Sequence, residues 1–161
     1  MQVIYCELWR DQPAGPMSEA VARKLDEEGE PYTVVVGATV APEAVIEVCW
    51  KNAYLGVSFK DVQGRTDLQY SFTRVDDQRL FLSDVTSWHY PEGARFEFEA
   101  ARIESHTYRP DGYVSRRVDD VATDRIEVSE LLDVPVEAHW EQVPAFGRWT
   151  SVARYDRALA A

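Results

Sequence analysis

The sequence predicts an α+β protein. Its main element is a strongly curved antiparallel β-sheet, or a small barrel-like meander, of about seven to nine strands. One helix near the N-terminus (about residues 17–28) and a short C-terminal helix complete it. Three observations carry this. Residues 95–130 alternate apolar and polar side chains on both sides of Tyr108-Arg109-Pro110-Asp111-Gly112-Tyr113, the grammar of a hairpin turn. Strand-length runs recur between Tyr32 and Glu130 with turn residues between them. Only one early stretch carries the helical period.

Residues 2–9 alternate, with Val3, Tyr5 and Trp9 on one side and Ile4, Cys6 and Leu8 on the other, and predict the first strand. Gly15-Pro16 punctuates the chain. Met17, Ala20, Val21, Lys24, Leu25 and Glu28 then fall at helical spacing, and Gly29 and Pro31 stop the helix. Val34-Val35-Val36 is a β-branched run. Ala44-Ile46-Val48-Trp50, Leu55-Val57-Phe59, Leu68-Tyr70-Phe72 and Leu80-Phe81-Leu82 continue the strand pattern. Near the C-terminus, Phe146, Trp149, Val152 and Ala153 have helical spacing and predict the short helix, with Ala158 to Ala161 fraying.

A chain of 161 residues predicts a single domain over 1–161. It buries roughly 68–70% of its unfolded surface, enough to fold without a metal or a disulfide. No apolar run reaches the roughly 18 residues of a membrane helix, and MQVIYCELWRDQ lacks the basic and apolar regions of a signal peptide. The expectation is a cytoplasmic protein with no membrane contact. Cys6 and Cys49 each sit in an apolar segment, which predicts two buried, reduced thiols.

The formal net charge of −11 disfavours nucleic acid as a partner. The charge is concentrated. Asp119, Asp120, Asp124, Glu127, Glu130 and Asp133 face a single Arg125, a net −5 over fifteen residues. Such a block is either a solvated surface or a docking face for a basic protein.

Chemistry-bearing motifs are sparse. His89, His106 and His139 have no partner at metal-ligand spacing, and no Cys/His cluster, phosphate loop or nucleophile elbow occurs, so no cofactor or metal is expected. If the chain is an enzyme, His106 is the candidate base. On one alternating strand face it has Glu104, to raise its pKa, and Tyr108, to orient a ligand. Glu97 and Glu99 with Arg102 form a pattern that resembles the ExExK hallmark of triphosphate tunnel enzymes. The resemblance spans six residues and implies a pair of carboxylates holding a divalent cation. In that family the motif stands near the N-terminus and the base one position earlier, and this chain lacks strands rich in Lys and Arg. The reading taken is therefore a strand with both glutamates outward and Phe96 and Phe98 in the core.

Two function classes follow. The first is a non-enzymatic acidic binding protein, within that class an immunity or inhibitor protein that neutralises a basic partner such as a toxin. Its binding residues would be Asp119, Asp120, Asp124, Glu127 and Glu130. The second is a β-barrel that holds a small apolar ligand, or an enzyme using an isolated His and carboxylate, in a pocket lined by some of the five tryptophans.

Overall fold

The computed structural model describes residues 1–157 and Leu159. Strands β1 (Val3–Trp9) and β2 (Pro13–Met17) form a hairpin. Helix α1 (Glu19–Glu28) follows. The chain then runs through β3 (Tyr32–Gly37), β4 (Pro42–Cys49), β5 (Tyr54–Lys60), β6 (Thr66–Arg74), β7 (Arg79–His89), β8 (Arg102–Tyr108), β9 (Val114–Asp120) and β10 (Arg125–Leu131). Strand β11 (Trp140–Gln142) returns to β7. The result is one open, curved antiparallel sheet in the order β2-β1-β3-β4-β5-β6-β7-β8-β9-β10.

Eleven strands among the described residues replace the expected seven to nine. The additions are edge pieces. β2 contains Pro13, Gly15 and Pro16, which read as breakers but are tolerated at a sheet edge. β10 lies inside the acidic block, and β11 is only three residues long.

The helix forms where its signals lie. Ser18 caps it through Oγ, which accepts from Val21 N at 3.3 Å, and Gly29 closes it at φ 75°. Ala22 and Leu25 face β1 and β3. Asp26 fastens the helix laterally. Its Oδ1 accepts from Tyr32 Oη at 2.8 Å and from Trp50 Nε1 at 2.7 Å.

The core lies on one face of β1 and β3–β7, built from Val34, Ile46, Val57, Phe72, Leu80 and their neighbours. The segment after β11 covers that face but forms turns, not the expected helix. Gly147, at φ 87°, and Pro144 interrupt the period, and a single bond from Ala153 N to Trp149 O is its one helical turn. The apolar spacing still reaches its target. Trp149 and Val152 are fully buried, and Trp149 Nε1 donates to Tyr5 Oη at 3.4 Å. Phe146 stacks on Tyr5 at 5.2 Å. Arg157 follows with a side chain only 1% exposed. It lies over Tyr70 and Phe72, and donates to Glu141 Oε2 at 3.3 Å and Ser151 O at 2.6 Å. The expected fraying of Ala158–Ala161 concerns a stretch of which only Leu159 is described.

Both cysteines are free. Cys6 is buried, and burial pushes its thiol pKa up. Cys49, expected to be buried, is only half-buried because it ends β4 at the Trp50–Asn52 turn. No helix among the described residues is long and apolar enough to cross a membrane.

Candidate functional site

At Ser83 an irregularity in the β6–β7 ladder splits the sheet. The first residues of β7 pair with β11, and the residues from Asp84 onward pair with β8. His139 fills the fork. Its Nδ1 lies 2.9 Å from Leu82 O, and its ring lies between Tyr108, at 4.1 Å, and Phe81, at 5.7 Å. A carbonyl only accepts, so Nδ1 carries the proton, and in the neutral ring Nε2 is a lone pair with no partner among the described residues. Burial pulls the His139 pKa down, against the Leu82 hydrogen bond, which raises it.

The sequence grouped Glu104, His106 and Tyr108, and the structure places all three on the inner face of β8. Arg116, opposite His106 on β9, donates through Nε to Glu104 Oε1 at 2.8 Å, and Arg102 donates to Oε2 at 3.1 Å. Burial raises the Glu104 carboxyl, but Arg116, and then Arg102, outweigh it and hold it below the ordinary range. His106 Nε2 lies 3.7 Å from Glu104 Oε1, beyond hydrogen-bond distance, and has no partner among the described residues. Burial lowers the pKa of His106 more than Glu104 raises it. The carboxylate is thus committed to two guanidinium groups and does not poise the histidine as a base. The marked surface depressions are lined by other residues, and none includes His106, Tyr108 or His139. No group of three His, Cys, Asp or Glu side chains among the described residues is placed to hold a metal ion.

These histidines make stability sensitive to mild acid. Both have folded pKa values below the ordinary value of about 6.5. The unfolded chain therefore takes up protons first as the pH falls through that value, and stability drops. The urea midpoint should fall between pH 7.5 and 5.5. The fall should shrink in His139→Gln and shrink further with His106→Gln added. Equal midpoints at both pH values would contradict this.

The acidic residues occupy the β9–β10 hairpin. Paired residues across an antiparallel ladder share a face. Asp119, opposite Ile126, therefore lies on the outer face with Val128 and Glu130. Asp120, opposite Arg125, lies on the inner face with Glu127. Asp124 sits in the turn at φ 53°. The block thus flanks the hairpin on both faces. Asp119 and Asp120 are half-buried, and Asp124, Glu127 and Glu130 are exposed. Asp119 pairs with Arg117 at 3.0 Å, Asp120 accepts from Thr123 N at 3.2 Å, and Glu130 accepts from Tyr113 Oη at 2.7 Å. Asp124 and Glu127 make no such contact among the described residues. All seven residues of β10 are exposed, Ile126 and Val128 by 62% and 65%, and one side of the strand has no neighbour among the described residues. No family model matches this sequence, and no curated protein or solved structure is significantly similar to it.

A second exposed feature was not foreseen. Phe96 and Phe98, expected in the core, are exposed and stacked on each other at 5.3 Å. Glu97–Glu99 is a 3₁₀ turn, not a strand. The Glu99 carboxylate accepts from Arg95 N and Phe96 N at 2.8 Å each and fixes the turn. Glu97 instead binds Thr66 and Lys60. The two carboxylates have separate structural partners and do not form a shared site. In a meander every second connection lies at the same end of the sheet. The connections at this end carry exposed Val40, Val62, Phe96, Phe98 and Val121.

Proposed function

We propose that this protein is an acidic binding protein that captures a basic protein partner on its β9–β10 hairpin. An immunity or inhibitor protein that neutralises a basic toxin fits this role. The observation that carries the reading is β10, an edge strand exposed along its whole length inside an acidic stretch of the chain. A strand with no buried side chain contributes little to the core, which argues for a use outside it. Acidic side chains on both faces draw a basic surface toward the hairpin. The apolar tips at the same end, Val121 and the Phe96–Phe98 stack among them, offer a dry contact beside the charged one.

The test places a photo-crosslinking residue at Ser129 in cells that make the protein. The expected result is one basic protein, captured reproducibly. Charge reversal in the double variant Glu127→Lys, Glu130→Lys should slow association with it about tenfold or more at low salt and leave folding intact. A neutral or acidic partner, or capture indifferent to the reversal, would overturn the proposal.

A further inference from the structure

The two edges of the sheet differ. β2 is five residues long, and Pro13 and Pro16 offer no N–H to an added strand. β10 has seven residues, no proline, no lysine and no register irregularity against β9. Its outer side presents about three or four residues whose N–H and C=O groups both point away from β9. An edge this long, guarded only by the charges of Arg125, Glu127 and Glu130, is a template for pairing with a strand of complementary charge unless something covers it.

We infer that β10 binds its partner by strand addition, and that the partner segment is an extended strand alternating basic and apolar residues. This rests on the proposed capture of a basic protein and specifies how it occurs. The register sets the chemistry. On the outer face an added strand meets Ile126 and Val128, with Glu130 at the end. On the inner face it meets Glu127 and Ser129, with Asp120 behind Arg125. Alternate residues of the added strand point to alternate faces. One set therefore packs on Ile126 and Val128, and the other carries the cations that face Glu127. A second copy of this chain suits the edge poorly, since each copy carries a net charge of −11.

The test uses the intact protein and two synthetic nine-residue peptides of alternating lysine and valine. One has an ordinary backbone, and the other is methylated at every backbone amide nitrogen, so that neither of its edges carries an N–H donor. The charges are identical, but the methylated peptide cannot complete the ladder. The expected result is that the ordinary peptide binds at least about tenfold more tightly. It should also slow hydrogen exchange at the β10 amides that point away from β9. Equal binding of both peptides, weakened by Glu127→Lys, would overturn strand addition and leave acidic capture standing. Binding of neither peptide at low salt would count against acidic capture itself. Protection of β10 without peptide, in a particle of twice the monomer mass, would assign the edge to a second copy and overturn the inference.

Discussion

Replacing Trp149 by alanine should cost about 3–5 kcal/mol in urea unfolding, the range for removing a fully buried tryptophan. The indole is 0% exposed, meets Tyr32 edge-on at 6.3 Å and donates to Tyr5. Its removal opens a cavity between the sheet and its covering segment and leaves Phe146 and Val152 loosely held. A domain of this size loses roughly 2–4 °C of Tm per kcal/mol, so the transition should move down by about 10 °C. Trp149→Phe keeps most of the volume and should cost distinctly less. A loss below about 1 kcal/mol for the alanine variant would show that the C-terminal segment is not part of the cooperative core.

The second large effect is expected at Asp26. One carboxylate oxygen serves both Tyr32 Oη and Trp50 Nε1, and through them holds α1 to the sheet. Asp26→Ala strands both donors, at about 1–3 kcal/mol each. The asparagine variant keeps an oxygen acceptor at the same place and should lose about 1 kcal/mol. Adding Tyr32→Phe to the alanine variant removes one stranded donor and should recover part of the loss. Equal stability of the alanine and asparagine variants would remove these hydrogen bonds as the cause. Burial and the Asp26 carboxylate together push the Tyr32 pKa far above its ordinary value, so the phenol keeps the proton that it donates to Asp26.

The helix was legible because residues 17–28 carry the helical period and Gly29 and Pro31 mark its end; its start, expected at about 17, falls at Glu19 because Ser18 is the cap. The central strands were legible because one buried face leaves an alternating pattern. The misses share a cause, since the pattern that identifies an element assumes a buried side. β2 has two prolines that only an edge accepts. β10 falls in the stretch expected to be β-structure as far as Glu130, but with no buried residue it gave no sign that the acidic block is a separate edge strand. Phe96 and Phe98 gave the reverse error. Their spacing imitates a strand, but Glu99 turns the backbone at that point. The Glu104–His106–Tyr108 face was correctly assembled from a single strand. Arg116, which takes the carboxylate, comes from the next strand and from a register that the sequence does not reveal.

The unequal edges also bear on assembly. Unlimited end-to-end growth of sheets needs a donor edge and an acceptor edge on every molecule, so that each addition recreates the surface just consumed. Here the β2 edge is blunted by Pro13 and Pro16, β11 offers only three residues, and β10 is the one long open edge among the described residues. Occupation of β10, by a foreign strand or by β10 of another copy, leaves no equivalent edge for the next molecule. Association through the backbone therefore stops after one event. The molecule carries an exposed seven-residue strand without the geometry that would let it polymerise into a fibre.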